Sequence, residues 1–316
     1  MIKARVFLIS TLLIFAFTII GCETNTGEKN PKGLSKGEIG FSVYDMQYEY
    51  FQGMEKGTKQ GILDLGYGYI FHDQKSDQTQ MVSGAQDLIN QGIAALIISP
   101  NNPEALGPIV EAAHAKKIPV IVDDIGGGNS DYDAIVISDN IGGGKMAGDY
   151  AIKNIKAGSK EVAIIKVEPS AIFAVRRGEG FKSEVTAAGF KVVKELSGHS
   201  KQEEGYSIMK DIITSNPKVQ AVFCENDPMA VGAAQACIDS KRKDIMIIGF
   251  NGDKIALDAI KAGIMSATIM QSPYEMGKET VLLADKLIRG EKIKFDDEKK
   301  KEIYISVKLI TKEDIK

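Results

Sequence analysis

Polar side chains follow several apolar segments of this chain, and their chemistry suits the binding of hydroxyl groups. The residues that come directly after these strand-length segments are Asp45, Gln47, Tyr48, Tyr50, Ser99, Asn101, Asp123, Asp124, Glu225, Asn226, Asp227, Asn251, Asp253 and Gln271. Carboxylates accept hydrogen bonds and amides both donate and accept them, so together they can hold several hydroxyls of one molecule. Asp and Asn also follow strands as turn formers and helix N-caps, a role open to Asp139 and Asp227. The recurrence of polar residues at six strand ends favours a binding site.

Aromatic residues gather at one of these strand ends. SVYDMQYEYF, residues 42–51, holds four aromatic side chains, whereas aromatic residues make up 7% of the whole chain. The preceding EIGFSV predicts a strand and the following QGMEKGTKQGILDLG a helix, and ligands of open α/β folds bind at such junctions. Flat rings can cover the C–H face of a sugar. Packing in the core or at its rim is the alternative for these rings.

The sequence lacks a recognisable catalytic or metal-binding motif. His72, His114 and His199 lie far apart, without the spacing of metal ligands, and the acidic residues lack the spacing of a calcium loop. We therefore expect no cofactor and no metal. Carboxylates such as Asp123 and Asp227 would have to form a pair for glycoside hydrolysis to be the function.

Apolar segments of strand length alternate with helical segments, which predicts an α/β fold with parallel sheets covered by helices on both faces. The segments are IGFSVY, YGYIFHD, AALIISP, IPVIVDD, AIVISDN, EVAIIKVE, FKVVKEL, VQAVFCEN, DIMIIGFN and SATIMQ. A weak internal repeat relates KGTKQGILDLGYGYI to EGFKSEVTAAGFKVV, with Gly57 matching Gly180 and Gly66 matching Gly189. Two similar Rossmann-like lobes follow, and a cleft between them is a favoured place for a small ligand. The glycine run at 142–144 predicts close helix packing.

Three crossings of the chain between the lobes are expected, near Ser138–Asp139, Gln271 and Glu302. The predicted lobes are 38–138 with 272–301, and 139–271 with 302–316.

The N-terminus has the layout of an export signal. Two basic residues precede the apolar run Val6–Ile20, which leads to Gly21 and Cys22. A run of about 15 residues is short for a membrane span. The small residue before Cys22 resembles a lipoprotein processing site, so we expect a signal peptide at 1–21, a lipid on Cys22 and a flexible tether at 22–37. An ordinary signal peptide or an uncleaved anchor is the alternative.

Charge and cysteine content restrict the partners. A net charge of -3 and a pI near 5.8 give no basic footprint, so we expect no nucleic-acid partner. Beyond Cys22 the chain holds Cys224 and Cys237. A disulfide is possible in an exported protein, but a strand and a following helix predict two buried free thiols. We expect a monomer.

The mature chain resembles, along nearly all its length, the periplasmic ribose/galactose-type sugar-binding proteins that serve ABC transporters. The segments that carry the resemblance are FQGMEKG, LIISPNNPEAL, IPVIVDD, ISDNIGGGKMAGDY, RRGEGF, VQAVFCENDPMAVGA, IIGFNG and SATIMQSPYEMG. GGKMAGDY, RGEGF and ENDPMAVGA are specific for this family and its repressor relatives, which begin with a helix-turn-helix instead of an export signal. The resemblance implies a type I periplasmic-binding-protein fold, with two lobes joined by a three-strand hinge.

The resemblance also implies roles for individual residues. Tyr50 and Phe51 match stacking aromatics, Asp123 an acidic hydroxyl acceptor, Asn226 an amide of the site and Gln271 a glutamine beside the hinge. The full predicted ligand-binding set is Tyr48, Tyr50, Phe51, Asp123, Asp124, Asn226, Asn251 and Gln271.

Several positions depart from the family pattern. Tyr48 stands where relatives have Asn or Asp, Asp124 where Arg is usual, and Asn251 where Asp is usual. Val175 replaces a second expected Arg, and Ser200 replaces a second stacking aromatic. Arg176 lies one position further along the helix, rotated by about 100°. We therefore predict a site with few cations and a neutral polyhydroxylated ligand, although Arg176 or Arg177 could still turn inward.

The leading functional hypothesis is a lipid-anchored receptor that closes on a monosaccharide or polyol and presents it to an ABC transporter permease. A sensory receptor of the same fold is the first alternative. An exported enzyme acting on sugars is the second, and the resemblance implies no such activity.

Overall fold

The computed structural model describes residues 36–169 and 171–315. The strands are β1 (Glu38–Val43), β2 (Gly68–Asp73), β3 (Ala95–Ile98), β4 (Val120–Asp123), β5 (Ala134–Ser138), β6 (Glu161–Lys166), β7 (Lys191–Ser197), β8 (Val219–Cys224), β9 (Met246–Asn251), β10 (Ala267–Met270), β11 (Glu302–Ile305) and β12 (Lys308–Thr311). The helices are α1 (Glu49–Asp64), α2 (Gln78–Asn90), α3 (Gly107–Ala115), α4 (Asn140–Asn154), α5 (Ile172–Ala187), α6 (Gln202–Ser215), α7 (Asp227–Asp239), α8 (Lys254–Lys261) and α9 (Pro273–Ile288).

The strands form two sheets of the same design. The first has the order β11-β5-β4-β3-β1-β2 and the second the order β12-β10-β9-β8-β6-β7. Neighbouring strands run parallel, except that β12 is antiparallel to β10. The first sheet with α1, α2, α3 and α9 forms the first lobe, and the second sheet with α4 to α8 forms the second. The predicted α/β class with two mostly parallel sheets is confirmed.

The central strands of the first sheet lie in the protein core. All residues of β3, β4 and β5 are buried, as expected for strands of a parallel sheet covered on both faces. The helices above the sheets pack in close pairs, α1 with α9, α4 with α5 and α6 with α7. Gly144 of α4 lies against the carbonyl of Arg177 in α5, and Gly180 of α5 lies against the carbonyl of Ile141. The close packing expected of residues 142–144 is therefore present.

The chain passes between the sheets at three places. The passages lie between β5 and α4, between β10 and α9, and between β11 and β12. Residues 302–305, which were assigned to the second lobe from the sequence, form β11 and belong to the first sheet. Glu302 pairs with Ile135 in parallel register along β5. The third passage therefore lies after Ile305 instead of at Glu302.

The predicted export signal, Cys22 and the predicted tether lie outside the described residues, except for tether positions 36 and 37. Of these, Lys36 contacts the first lobe, with its ammonium 3.8 Å from Asp285 and above the Tyr67 ring. Cys224 and Cys237 are buried free thiols. None of the helices in the described part is long and apolar enough to cross a membrane.

Candidate functional site

A cavity of about 640 Å³ lies between the two lobes, at the carboxyl ends of the strands. Its lining comes from both lobes and comprises Gln47, Tyr48, Glu49, Tyr50, Phe51, Asp124, Glu168, Arg177, Ser200, Asn226, Pro228, Asn251, Asp253, Lys254, Ile255 and Gln271. Of the eight predicted ligand-binding residues, seven are among them, and Asp123 is not. The topology explains the convergence, because parallel strands end at one edge and both sheets point that edge into the cleft.

The aromatic residues of 42–51 form one wall of the cavity. Tyr48 precedes α1 in an extended conformation, and Tyr50 and Phe51 fall in the first turn of that helix. Phe51 is nearly buried and stacks on Tyr44 at 5.2 Å, while Tyr50 meets its edge at 5.3 Å. Tyr48 remains 47% exposed. The wall is therefore a fixed inner face with one accessible ring at the mouth.

Asp124, the residue directly after β4, carries a carboxylate that faces the cavity. Its backbone φ of 65° lies in the left-handed region that disfavours most side chains. The Tyr50 hydroxyl donates to its Oδ1 at 2.8 Å. Burial raises the pKa of Asp124, partly offset by the Tyr50 hydroxyl and the charge of Arg177. Burial also raises the pKa of Tyr50, as does the neighbouring Asp124. Tyr50 therefore keeps its proton and acts as the donor in this hydrogen bond.

Asp123 does not occupy the position predicted for it. It is fully buried, and neither carboxylate oxygen has a hydrogen-bond partner among the described residues. It lies near Thr280 of α9, whose hydroxyl donates to the Met276 carbonyl. Burial raises the pKa of Asp123 well above its ordinary value, and so does the charge of Asp124. Successive residues of a strand point to opposite faces, and the backbone turn at Asp124 leaves that neighbour, not Asp123, in the cleft.

Arg177 lines the cavity, although it was not part of the predicted ligand-binding set. Its guanidinium donates to Asn140 Oδ1 and to the Glu225 carbonyl at 2.8 Å each, and to Asn251 Oδ1 at 3.2 Å. It stacks 4.0 Å from the centre of the Phe250 ring. The sequence analysis expected few cations and left open whether Arg176 or Arg177 turns inward, and in the structure Arg177 lines the cavity. The RRGEGF motif contains both Arg176 and Arg177, but only the rotational phase of the helix decides which of them faces the cavity.

Amide groups connect the two lobes behind the cavity. Ser138, at the end of β5, donates to Gln271 Oε1 at 2.8 Å, and Gln271 donates to Asn251 Oδ1 at 2.9 Å. Asn251 in turn donates to Asp253 at 3.2 Å and has a φ of 131°, a backbone conformation that is strained for any residue with a side chain. This network fixes the orientation of the side chains at the floor of the cavity.

Asn226 and Asp227 have different structural roles at the start of α7. The Asn226 side chain caps the helix by accepting from the Met229 amide at 3.2 Å, and it also lines the cavity. Asp227 is buried and accepts from the Gly252 and Asp253 amides, which holds the loop after β9. Burial raises the pKa of Asp227 to about 7. Asp227 is therefore not a cap, whereas Asp139 caps α4 through the Gly142 amide.

The cavity carries more carboxylates than cations. Ser200, at the position of an expected aromatic, lines the wall and donates to Glu168 at 2.7 Å. The ionisable lining residues are Glu49, Asp124, Glu168 and Asp253 against Arg177 and Lys254, a formal balance of two negative charges. Lys254 also pairs with Asp258 at 2.6 Å. No cluster of three potential metal ligands occurs within 36–169 and 171–315. The lining suits a small molecule with several hydroxyls.

Comparisons with known proteins agree with this geometry. The periplasmic binding protein domain matches residues 39–292. The ribose import binding protein of Bacillus subtilis is 34% identical over 293 residues, which cover 92% of this chain and 95% of the relative.

Solved structures are also similar to this chain. A carbohydrate transporter solute-binding protein from Agrobacterium radiobacter, in complex with D-arabinose, is 30% identical with a TM-score of 0.71, over 89% of this chain and 96% of that one. A periplasmic ribose ABC transporter structure from Conexibacter woesei has a TM-score of 0.82 at 24% identity, over 90% of this chain and 95% of that one. The second likeness supports the fold alone.

Proposed function

Because the chain belongs to the periplasmic binding protein domain family, we propose that it captures a neutral monosaccharide or polyol in its interlobe cleft and delivers it to an ABC transporter permease. Its relatives are sugar-binding proteins of transporters, so the chain is a binding protein and not an enzyme. We further propose that it is exported, acts as a monomer and is held at the membrane by a lipid on Cys22.

The observation that carries the proposal is the composition of the cavity. A ring wall from the first lobe faces carboxylate, amide and guanidinium groups from both lobes. Rings cover the apolar face of a sugar, and the polar groups around them match hydroxyls that both donate and accept. A ligand held from both sides would also hold the lobes together.

We propose that the ligand contacts come from Tyr48, Tyr50, Phe51, Asp124, Arg177, Asn226, Asn251 and Gln271. Asp124 takes over the hydroxyl-accepting role first assigned to Asp123. Its Oδ1 already accepts from Tyr50, which leaves the second carboxylate oxygen for a ligand hydroxyl. The names of the two similar proteins above, for ribose import and with bound D-arabinose, support a pentose as the first candidate.

A neutral ligand follows from the charges. An anion would add to a lining that already has two more carboxylates than cations. Three of the five N–H donors of Arg177 already serve Asn140, Asn251 and the Glu225 carbonyl, and its positive charge is already offset by the nearby Asp124 carboxylate. Burying an anion without a full set of partners is unfavourable. An amino sugar is the next candidate after neutral sugars.

Calorimetry with pentoses, hexoses, polyols, amino sugars and matched sugar phosphates and acids tests the function. We expect one neutral class to bind, and a thermal shift to follow, since saturation at 100 times Kd adds about 2.7 kcal/mol. Tighter binding of a phosphate or an acid would refute the charge argument. No binding by any neutral sugar or polyol would refute the proposed ligand class.

A pair of neighbouring variants tests the site. Asp124→Asn should weaken binding roughly 10- to 100-fold, since hydrogen bonds to charged groups contribute about 1.5–3 kcal/mol. Asp123→Asn, one residue away and outside the cavity, is the matched control and should bind with an affinity close to that of the wild type. The reverse order of effects would return the acceptor role to Asp123.

A further inference from the structure

An ion pair joins the two lobes outside the ligand cavity. Arg176 lies on α5 of the second lobe, and Glu302 begins β11 of the first sheet. Two guanidinium nitrogens of Arg176 donate to the two carboxylate oxygens of Glu302, each at 2.9 Å. The Glu302 side chain is 2% exposed and that of Arg176 15%. Paired bonds of this kind fix both distance and orientation.

Further contacts surround this ion pair. The Tyr304 hydroxyl, also on β11, donates to the same carboxylate at 2.8 Å. Phe173, one turn before Arg176 on α5, packs against the core of the first lobe, where a side chain on Gly126 would collide with its ring. The Arg176 guanidinium stacks 4.5 Å from the centre of the Phe173 ring. We call Gly126, Phe173, Arg176, Glu302 and Tyr304 the interlobe brace.

The brace is separate from the ligand site but connected to it through one helix. None of its five residues lines the 640 Å³ cavity. Arg177, the next residue on α5, does line it and stacks on Phe250. Adjacent helical residues point about 100° apart. Within one turn of α5, Arg176 therefore binds the first lobe and Arg177 faces the cavity.

From these contacts we infer that the interlobe brace sets ligand affinity by stabilising the arrangement of the lobes in which the cleft is formed. The inference rests on the proposed function. Rotation of one lobe against the other separates Arg176 from Glu302, because Arg176 lies on α5 of the second lobe and Glu302 on β11 of the first. A ligand that needs both lobes binds with an apparent affinity reduced by the fraction of molecules in the competent arrangement. Arg176 is thus a positioning residue that acts without touching the ligand.

Removal of either Arg176 or Glu302 alone should favour separation of the two lobes. Arg176→Met leaves the Glu302 carboxylate without its cation in a nearly closed environment, which is unfavourable, and opening of the lobes lets water reach it. We expect Arg176→Met to weaken the binding of D-ribose, or of D-arabinose as the second probe, by about tenfold or more. Adding Glu302→Gln should recover part of the loss, since the double variant holds no unpaired charge.

The matched control lies on the same helix. Lys182 pairs with Glu195 at 2.7 Å, and both residues belong to the second lobe. Lys182→Met therefore removes an ion pair of α5 that does not cross between the lobes, and affinity should stay within about twofold of wild type, because exposed pairs contribute little. If Arg176→Met fails to fold, Phe173→Ala removes the apolar half of the brace and should weaken binding in the same direction.

Interlobe distances separate this inference from the proposed function. Spin labels at exposed Gln86→Cys and Thr214→Cys, in the whole chain carrying Cys22→Ser, report the distance between the lobes, since Cys224 and Cys237 are buried. Without ligand, Arg176→Met should shift the distribution away from that of the wild type, and Lys182→Met should not. An unchanged distribution, or an unchanged affinity, overturns the brace even if sugars bind. A shifted distribution in a chain that binds no sugar supports the brace's control of the lobes and refutes the proposed function.

Discussion

At the residue scale, a single step along the chain decides which carboxylate faces the ligand. Asp123 and Asp124 both end a predicted strand segment, and the family resemblance implied the acceptor role for the first. In the fold, Asp123 is the last residue of β4 and points into the core, while Asp124 turns out of the strand with a φ of 65°. A turn of this kind leaves no mark on the hydrophobic pattern, because both residues are acidic.

The burial of Asp123 makes stability depend on pH. Its pKa in the folded protein lies well above the ordinary value of 3.8, so the folded protein binds this proton more tightly than the unfolded chain does. The stabilising contribution is full below about pH 4 and is lost as the pH rises through the folded pKa. Asp123→Asn removes the titration. Wild-type stability relative to this variant should therefore fall between pH 4 and pH 8.

Denaturant unfolding at the two pH values measures this difference. Asp211→Asn, at an exposed position of α6, shows what the same chemical change does at the surface. A difference between wild type and Asp123→Asn that stays constant from pH 4 to pH 8 would contradict a buried, readily protonated Asp123.

The rest of the site shows how far residue types can lead. Strand ends and aromatic residues were visible in the sequence, and seven of the eight predicted residues line one cavity. Arg177 was not separable from Arg176, because a choice between adjacent arginines needs the phase of α5 to within about 100°. The fold gives Arg176 to Glu302 and Arg177 to the cleft.

At the element scale, glycines set the spacing of the helix pairs. A side chain on Gly57 of α1 would collide with the Tyr274 carbonyl of α9, and one on Gly180 of α5 would collide with the Ile141 carbonyl of α4. These two glycines occupy equivalent positions in the internal repeat of the sequence. The repeat therefore reflects a shared packing requirement of the two lobes, since close approach of helix backbones leaves no room for a Cβ.

Gly57→Ala should destabilise the protein by about 1–3 kcal/mol, the usual result of forcing extra atoms into a packed contact. Gly107→Ala in α3 is the matched control, because the added methyl group would meet no atom within 4 Å other than those of its chain neighbours and its own helix. That variant should be neutral or slightly stabilised. Urea unfolding of both variants provides the measurement, and equal stabilities would show that α1 can move away from α9 without cost.

Two strands were not predicted from the sequence. β11 and β12 have four residues each, with half-exposed patterns and lysines around them, and each lies at the edge of its sheet. Short edge strands bury little apolar surface, so their periodicity is weak. The ten strands that were predicted carry longer or more fully buried apolar runs. The missing β11 also explains why the third passage between the lobes was placed at Glu302.

At the scale of the whole molecule, the proposed lipid anchor at the N-terminus can be tested with one substitution. Gly21 and Cys22 end the apolar run, outside the described residues. A diacylglyceryl group would be carried by the Cys22 thiol, so Cys22→Ser should leave the protein soluble or unprocessed. Membrane fractionation and the mass of the mature chain provide the measurement. Unchanged membrane partitioning and mass in this variant would contradict a lipid anchor.

Three passages of the chain between the sheets permit one motion above others. The segments after β5, β10 and β11 are short, and each joins two lobes whose cores are otherwise separate clusters. Connections of this kind allow rigid-body rotation of the lobes about a common axis. The ligand contacts and the interlobe brace both stabilise the same arrangement, so ligand binding should draw the lobes together and exclude open forms.

Small-angle scattering of the soluble Cys22→Ser chain tests this motion. We expect the radius of gyration to fall by a few per cent when D-ribose or the calorimetrically identified sugar is added to saturation. Arg176→Met should start from a larger radius without ligand and reach the wild-type value with it, because ligand and brace act on the same equilibrium. The same radius with and without saturating ligand, in both wild type and Arg176→Met, would mean that the cleft binds sugar as a rigid site. In that case the three passages hold the lobes in one arrangement, and the cavity residues alone set the affinity.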